Sequence, residues 1–499
     1  MIKLFTNLQE QTDLRQTLSN IRKEIKDENQ YGEFIKLIEG NEGILQSLLG
    51  HEDAKVRKNA ALLMGDLGFA VFLKPLMEAY EREEQLFVKS SYLKALKGMD
   101  YQEYLPVLKK RLEELIHTEI TEENKKHIDE EVRELSGLVV YEEGITTHTF
   151  TGYHKKSEVI LLTNRNHIHV TTEKLTGQDI KEMSAGVRFV TEDIQALLDI
   201  RTYSEMMFLV PDMKSCDMDP VSAAVKIADS GFVSYLEERH KEKAPFYFRV
   251  EIKSKLELDK KSAFCKKFAT ELERRTNRQL INSASNYEIE IRLVQNREGK
   301  CNIMVKLYTI PDNRFTYRKE SIPTSIKPVN AALLTELALP YMKEKARVLD
   351  PFCGVGTMLI ERQKKIKADT MYGVDYNGIA IEKGRINAQE AGQIIHFVNK
   401  NCFDFEHEYL FDEVFTNMPF VTAGKSEEDI RDTYVRFFKN ISSLLTDDAV
   451  IIMYTHNIEY VREFALKNGF RIKQQFRIMD KEGTDLVILD NLSAYSGKW

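Results

Sequence analysis

The pattern of apolar and polar positions changes along the 499-residue chain. Residues 1–140 repeat apolar side chains at helical spacing, whereas residues 145–240 and 241–320 combine helical stretches with segments that alternate as strands do. Beyond residue 325, short apolar strands alternate with helices, as in an α/β sheet. A chain of this length exceeds what one hydrophobic core can organise. The pattern therefore predicts a multidomain protein, with an all-α region over 1–140, α+β regions over 145–240 and 241–320, and an α/β domain over 325–499.

An internal repeat at an offset of 32 residues runs through the first region. Apolar residues of 72–80 recur at 104–112, and the stretch 54–68 aligns with 86–100. Repeats of this length indicate helix pairs that stack, each burying its apolar face on the next. The segment 51–68, with an acidic turn, a helix that opens with Val-Arg and a closing glycine, resembles a HEAT repeat. The resemblance implies HEAT-like repeats with a surface for a protein partner; a generic helical bundle is the alternative.

The middle of the chain mixes strands and helices. A hairpin is expected from strands at 158–163 and 167–172, followed by another strand at 206–210. Further on, the predicted order is strand, helix, strand, strand, at 246–253, 260–275, 287–294 and 302–308. The helix places apolar residues on one face and lysines on the other. Its apolar face consists of Phe264, Phe268, Ala269 and Leu272.

Charge is unevenly distributed over the chain, whose net charge is −7. Residues 241–330 hold 20 Lys and Arg against 11 Asp and Glu, a net charge of +9, while the rest of the chain is acidic. A basic block inside an acidic protein is typical of phosphate binding by a single module. A solvated, lysine-rich helix face is the alternative.

The basic block also carries a family resemblance. Its element order, with the segments 282–292 and 312–319, resembles the THUMP domain of RNA-modifying enzymes. Residues 145–240 resemble the ferredoxin-like module that precedes this domain in the family. The resemblance implies that the block holds the end of a tRNA acceptor stem, through backbone contacts that position the RNA without reading its sequence. The predicted RNA-binding residues are Lys260, Lys261, Lys266, Lys267, Arg274, Arg275, Arg314, Arg318 and Lys319.

The candidate chemistry lies in the last third of the chain. Segment 346–360 is a buried strand that runs into a Gly-rich turn and then a helix. Gly354 and Gly356 let the backbone pass close to a ligand. The sequence lacks both G-x-G-x-x-G and Gly-Lys-Ser/Thr, which disfavours a dinucleotide site and a phosphate-binding P-loop. A nucleoside without a phosphate fits better, with Asp350 meeting an amino group of the ligand.

Polar residues follow at three further predicted strand ends. Asp375 lies about twenty residues on, at the position where an acid accepts from both ribose hydroxyls. Asp404 is expected to end a third strand, where its carboxylate can accept from an adenine amino group. The fourth strand ends in the tetrad Asn-Met-Pro-Phe at 417–420. Such a series marks the carboxyl edge of a doubly wound, Rossmann-like sheet.

These motifs resemble those of the THUMP-containing guanine-N2 tRNA methyltransferases, a class I group. The resemblance rests on Asp-Pro-Phe-Cys-Gly-Val-Gly-Thr at 350–357, the run 373–392, the tetrad 417–420 and the connector 321–334, and it covers residues 145–499. It implies that the cofactor is S-adenosyl-L-methionine. The predicted cofactor-binding residues are Asp350, Pro351, Cys353, Gly354, Gly356, Thr357, Asp375, Tyr376, Asn377, Cys402, Phe403 and Asp404.

The tetrad suits methyl transfer to an exocyclic amine, a poor nucleophile because its lone pair is delocalised into the base. The Asn417 side-chain oxygen and the Met418 main-chain carbonyl can accept the two N–H bonds, so that the lone pair points at the methyl group. Pro419 stiffens the turn, and Phe420 offers a ring on which a flipped-out base can stack. The tetrad therefore predicts methylation of an amino nitrogen without a metal or a covalent nucleophile, and the family resemblance implies that this nitrogen is guanine N2 in tRNA.

Three functional hypotheses stay open at this stage. Besides guanine-N2 methylation of tRNA, the same tetrad serves adenine N6, and rRNA is an alternative substrate. The third hypothesis is a non-catalytic RNA-binding scaffold with a retained methyltransferase fold, which the intact Asp350, Asp375 and Asn417 disfavour. The cysteines lack metal-ligand spacing, and neither a signal peptide nor a membrane-spanning apolar stretch is recognised. We therefore expect a cytoplasmic protein with reduced thiols and no membrane partner.

Overall fold

The computed structural model describes residues 1–116, 118, 121, 123–143, 148–422 and 424–492. The chain divides into two compact units, Met1–Thr147 and His148–Trp499. In the described part of the chain, no helix is both long and apolar enough to cross a membrane. The predicted boundary at residue 145 and the last seven residues of the predicted 325–499 domain lie outside the described residues.

The first unit is helical throughout its described residues. Its helices are α1 (Ile2–Gln9), α2 (Leu14–Glu24), α3 (Glu28–Ile38), α4 (Gly43–Ser47), α5 (Ala54–Leu67), α6 (Leu73–Arg82), α7 (Leu86–Leu96), α8 (Leu105–Ile116) and α9 (Lys125–Glu143).

The helix pairs α5–α6 and α7–α8 start 32 residues apart, at the offset of the sequence repeat. Helices α5 and α7 approach each other closely at Gly65, where an added Cβ would lie only 2.5 Å from the Cα of Ala95. This contact explains why the repeat needs a small residue at that position. The all-α prediction for the first region is confirmed, and the HEAT-like assignment stays a prediction.

The second unit begins with a nine-stranded sheet. Its strands are β1 (Ser157–Thr163), β2 (Gln178–Met183), β3 (Gly186–Thr191), β4 (Tyr203–Leu209), β5 (Ser215–Cys216), β6 (Phe246–Lys253), β7 (Leu280–Asn282), β8 (Ile289–Gln295) and β9 (Cys301–Leu307). Their order is β2-β3-β1-β4-β9-β8-β6-β7, with β5 paired to β9. The helices between them are α10 (His169–Thr172), α11 (Ile194–Leu197), α12 (Pro220–Ala228), α13 (Phe232–Glu237) and α14 (Leu258–Arg275).

The structure confirms most of the elements predicted for this part of the chain. The predicted strand, helix, strand, strand order corresponds to β6, α14, β8 and β9, with the short β7 inserted before β8. The apolar face of α14 is buried as expected. Strand β4 pairs with β9 at Phe208 and Val305, so the predicted 145–240 and 241–320 regions share one sheet. The THUMP-like and ferredoxin-like assignments stay predictions.

The predicted hairpin of 158–163 and 167–172 is wrong. Strand β1 forms as expected, but His169–Thr172 form the helix α10. The physical reason lies in the sheet, because β1 is paired on one side with β3 and on the other with β4. No edge of β1 is left for a strand from 167–172, so this segment satisfies its backbone groups as a helical turn instead.

The rest of the second unit is built on a seven-stranded sheet. Its strands are β10 (Arg347–Asp350), β11 (Thr370–Asp375), β12 (His396–Asn399), β13 (Phe411–Asn417), β14 (Leu445–Thr455), β15 (Phe470–Met479) and β16 (Thr484–Asn491). Its helices are α15 (Pro328–Ala338), α16 (Thr357–Lys365), α17 (Gly378–Glu390), α18 (Glu427–Asn440) and α19 (Ile458–Lys467).

The strand order of this sheet is β12-β11-β10-β13-β14-β16-β15. Six of the strands run in one direction and only β16 runs antiparallel to its two neighbours, β14 and β15, and the direction of strand addition reverses between β10 and β13. At such a switch point the carboxyl ends of the two strands flank a crevice. Strand β10 ends at Asp350 and β13 at Asn417, which confirms the doubly wound, Rossmann-like prediction and brings both residues to the same crevice.

Candidate active site

A cleft of about 910 Å³ opens at the carboxyl edge of the seven-stranded sheet. Its walls come from the loops after β10, β11, β12 and β13, from the connector at 322–326 and from one turn of α18. All four tetrad residues at 417–420 line it. Ten of the predicted cofactor-binding residues also line it, namely Asp350, Pro351, Cys353, Gly354, Thr357, Asp375, Tyr376, Asn377, Cys402 and Phe403.

Asp350 is a buried acid at the centre of this cleft, with 1 % of its surface exposed. Its Oδ1 accepts from the Thr416 hydroxyl at 2.6 Å and from Phe352 N–H at 3.1 Å. Its Oδ2 has no hydrogen-bond partner among the described residues. Burial and, to a smaller extent, the charge of the nearby Asp375 raise the pKa of Asp350 to about 7. A cationic group of a ligand would satisfy Oδ2 and stabilise the ionised form.

Asp375 connects the Gly-rich turn to the loop after β11. Its Oδ2 accepts from Gly354 N–H and its Oδ1 from Asn377 N–H, both at 2.9 Å. Each carboxylate oxygen retains a second lone pair, so the side chain can also accept from hydroxyl groups in the cleft. Asn377 in turn caps α17, since its side chain accepts from Ile379 N–H at 3.0 Å.

The tetrad forms a turn with one unpartnered acceptor. The Asn417 Oδ1 is buried and has no hydrogen-bond partner among the described residues. Met418 N–H donates to the Tyr454 carbonyl at 2.9 Å, which anchors the turn to β14. The Phe420 ring stacks on His456, with ring centroids 4.5 Å apart and an angle of 25° between the planes. Burial lowers the pKa of His456, so this partner is a neutral imidazole.

Two predicted cofactor-binding residues do not line the cleft. Gly356 lies behind it as the N-cap of α16, with φ +78°, and a Cβ there would meet the Phe397 ring at 2.8 Å. Asp404 is exposed in a 3-10 turn, because β12 ends at Asn399 and not at residue 404 as expected. The structure therefore gives Gly356 a backbone role and corrects the strand end assigned to Asp404.

Sequence reasoning missed several residues of the cleft and of its support. Thr416 and His456 do not line the cleft but contact Asp350 and Phe420, and they were not foreseen because these partners are far away in sequence. Thr433 and Arg436 of α18 also line the cleft, and the Arg436 guanidinium lies 4.1 Å from the centroid of the Phe403 ring. The available signals in the sequence were weak: Thr416 is the penultimate residue of β13, His456 directly follows β14, and Thr433 and Arg436 lie one helical turn apart.

The predicted RNA-binding residues fall into two groups. Lys260, Lys261, Lys266 and Lys267 lie on α14, are exposed or half-exposed, and form no ion pair with a described residue. Arg274 and Arg275 also lie on α14, where both donate to Glu271. Lys319 lies 3.9 Å from Glu390.

Arg314 and Arg318 are placed inside the structure instead. Arg314 is buried, donates to Asp312 at 2.6 Å and lies over the Tyr203 ring at 3.7 Å. Arg318 donates to the Thr357 hydroxyl at the edge of the cleft. All three side-chain nitrogens of Arg314 and two of the three of Arg318 donate within the protein, so both are less available to RNA than the lysines of α14.

Comparison with known proteins bears on this domain. Residues 316–483 match the UPF0020 family, described as RMKL-like, methyltransferase domain. The match spans both the Gly-rich turn and the tetrad, and it ends before β16. It identifies the domain that contains the cleft as a methyltransferase domain.

Three solved structures resemble the chain in fold. TrmN from Thermus thermophilus is 20 % identical with a TM-score of 0.52, covering 67 % of this chain and 99 % of that one. A protein from Listeria monocytogenes described as a predicted N6-adenine-specific DNA methylase is 17 % identical with a TM-score of 0.51, covering 67 % and 96 %. SMU.472, solved in complex with SAH, is 14 % identical with a TM-score of 0.50, covering 68 % and 98 %.

The cleft suits S-adenosylmethionine on its own geometry. The unpartnered Asp350 Oδ2 can take the cofactor's ammonium group, and Asp375 has lone pairs left for the ribose hydroxyls. A volume of about 910 Å³ leaves room for a second molecule beside the cofactor. The chain therefore carries a class I methyltransferase domain whose cofactor is S-adenosylmethionine.

Proposed function

We propose that this protein methylates the exocyclic N2 of guanine in tRNA. The observation that carries the proposal is the buried, unpartnered Asn417 Oδ1, which shares one cleft with Asp350 and Asp375. A buried acceptor without a donor costs about 1–3 kcal/mol, which an incoming N–H group would offset. An amide oxygen at this place therefore favours a substrate that brings N–H donors, as an amino group on a base does.

The side chains around Asn417 position such an amine. When bound, the cofactor supplies an electrophilic methyl group. The Asn417 Oδ1 and the Met418 carbonyl accept the two N–H bonds and turn the lone pair toward the methyl donor. The hydrogen bond from Met418 N–H to the Tyr454 carbonyl fixes this turn before substrate arrives. The Phe420 ring, backed by His456, provides a flat apolar face for a base that has left its helix.

The lysines of α14 support the proposal that the methylated base belongs to an RNA. Lys260, Lys266 and Lys267 are exposed and Lys261 is half-exposed, and all four lie within the block of net charge +9. Lysines that form no ion pair with a described residue are available for phosphate groups. Phosphate contacts would position the RNA, while the tetrad selects the reacting atom.

Adenine N6 is the second candidate for the reacting nitrogen. The tetrad accepts either amine, and one structure of similar fold is described as a predicted N6-adenine-specific DNA methylase. Ribosomal RNA is the second candidate for the substrate. A scaffold without activity is the remaining alternative, and calorimetry with S-adenosylmethionine separates it from an enzyme.

The substitution Asn417→Ala tests the assigned reaction. Methyl transfer to RNA is expected to fall by about 10²–10³-fold, because a preorganised acceptor for the amine is lost. Cofactor affinity, measured by calorimetry, should change by less than about 2-fold, since Asn417 does not hold the cofactor. Asn417→Asp keeps an acceptor oxygen and serves as the matched control, retaining more activity than Asn417→Ala. Equal losses of transfer and cofactor affinity in Asn417→Ala would contradict the proposal.

A further inference from the structure

Arg318 is an exception among the arginines of the α/β domain and its connector. Over residues 310–422 and 424–492, every other arginine lies within 4 Å of a carboxylate oxygen. These are Arg314, Arg347, Arg362, Arg385, Arg431, Arg436, Arg462, Arg471 and Arg477. Arg318 forms no ion pair with a described residue, although it is partly buried.

The partners of Arg318 are all neutral oxygens. Its Nε donates to the Glu320 carbonyl at 2.8 Å, and its Nη1 donates to the Thr357 hydroxyl and, at 3.4 Å, to the Ile326 carbonyl. Burial lowers the pKa of Arg318, yet a guanidinium remains protonated at neutral pH. The connector therefore places a positive charge, which has no carboxylate partner among the described residues, next to the first residue of α16.

Thr357 connects Arg318 to the cleft through a hydrogen bond. It is 3 % exposed, it lines the cleft and it is the first residue of α16. Because its hydroxyl oxygen already accepts from Arg318, its proton is free to be donated to a ligand. The N-cap of α16 is Gly356, which has no side chain to occupy the first N–H groups of the helix.

The cofactor carries an anionic group that can pair with the positive charge of Arg318. The methionine part of S-adenosylmethionine ends in an ammonium and a carboxylate. The unpartnered Asp350 Oδ2, 1 % exposed and beside the same Gly-rich turn, suits the ammonium. The two cations that line the cleft are engaged elsewhere, with Lys425 lying over the Tyr376 ring at 5.1 Å and Arg436 over the Phe403 ring at 4.1 Å.

We propose that Arg318, acting through the hydroxyl of Thr357, forms the subsite for the carboxylate of S-adenosylmethionine. This inference replaces the RNA contact predicted for Arg318. It depends on the cofactor assigned above and not on the identity of the RNA or of the methylated base. Arg318 is a positioning residue, because Thr357 and the start of α16 stand between it and the ligand.

The test compares two ligands that differ only in the carboxylate. Affinities for S-adenosylmethionine and for decarboxylated S-adenosylmethionine are measured by calorimetry on the full chain. The wild type should prefer the intact cofactor by about 10-fold to 100-fold, as expected for a charge-assisted hydrogen bond. In Arg318→Met this preference should fall to less than about 3-fold, while affinity for the decarboxylated ligand stays the same. Thr357→Val should show an intermediate preference, and Arg318→Lys should recover part of it.

The controls separate a carboxylate subsite from a structural role. Arg431→Met removes an arginine of the same domain that already pairs with Glu463, so it should leave the ligand preference unchanged. Equal weakening of both ligands in Arg318→Met and Thr357→Val would show that the pair only supports the fold, which overturns the proposal. So would loss of the preference in Arg436→Met together with its retention in Arg318→Met. Because the readout is binding without RNA, failure of the RNA proposal would not affect it.

Discussion

The two sheets of the second unit carry buried polar groups that differ in whether they have hydrogen-bond partners. On the nine-stranded sheet, the buried Arg292 donates to Glu205 at 2.6 and 3.0 Å and to Glu290 at 2.7 Å, and Arg249 also pairs with Glu290. At the carboxyl edge of the seven-stranded sheet, Asp350 Oδ2 and Asn417 Oδ1 have no partner among the described residues. Since buried polar groups are nearly always bonded, two such acceptors lining one cleft mark a place where a ligand can complete the structure.

The same contrast exists within the methyltransferase domain. The Arg362 guanidinium, fully buried below the cleft, donates to Glu413 at 2.9 and 3.0 Å. This pair joins α16 to β13, and therefore joins the two elements that carry the Gly-rich turn and the tetrad. The Arg362–Glu413 pair keeps the two elements fixed relative to each other, and the unpartnered acceptors of Asp350 and Asn417 line the cleft in which the reactants bind.

Breaking the internal pair should have the largest effect. Arg362→Met leaves the Glu413 carboxylate buried and unpaired, which is expected to lower the free energy of unfolding of this domain by about 3–5 kcal/mol. Asp350→Asn removes a carboxylate that has no cationic partner, so it should cost far less. Urea titrations followed by hydrogen exchange of β10 and β13 measure both. A loss of stability in Asp350→Asn as large as that in Arg362→Met would contradict the claim that the paired residues, and not the unpartnered acid, stabilise the domain.

The unpartnered acid should show itself in pH dependence. The pKa of Asp350 lies at about 7, above its ordinary value of 3.8. A raised pKa means that the contribution of this group to stability is fully present below pH 3.8 and is lost as pH rises through about 7. Ligand binding has the opposite sign, because only the ionised form pairs with an ammonium group.

Affinity for S-adenosylhomocysteine should therefore rise by about 10-fold between pH 6 and 8 and then level off. Calorimetry at several pH values measures this rise, with Asp350→Asn as the control, which should bind more weakly and without the slope. A slope that persists in Asp350→Asn would assign the titration to another group.

The lysines of α14 should have the smallest effect for each residue changed. Replacing Lys260, Lys261, Lys266 and Lys267 by glutamine is expected to weaken RNA binding and to reduce its salt dependence by about 0.7–0.9 per lost phosphate contact in a log–log plot. The matched control replaces four exposed lysines of the first unit, namely Lys3, Lys23, Lys26 and Lys36. An unchanged slope in the α14 variant would refute this face as the RNA contact.

Local motifs were predictable from the sequence, and long-range partners were not. Asp350, Asp375 and Asn417 stand at strand ends within recognisable segments, so their positions followed from the order of the strands. The partnership of Arg318 with Thr357 joins residues 39 positions apart, and that of Phe420 with His456 spans 36. Neither has a periodic or compositional signal. The failed hairpin at 167–172 has the same cause, since the strand partners of β1 come from later in the chain.

The most direct measurement is mass spectrometry of nucleosides from bulk tRNA and rRNA of cells with and without this protein. The account predicts that N2-methylguanosine in tRNA decreases without the protein. It also predicts that incubation of that tRNA with the purified chain and deuterium-labelled S-adenosylmethionine restores the nucleoside in labelled form. Labelled N6-methyladenosine would move the reaction to adenine. Label on a carbon or oxygen atom, or none in any RNA, would contradict methylation of an amino nitrogen.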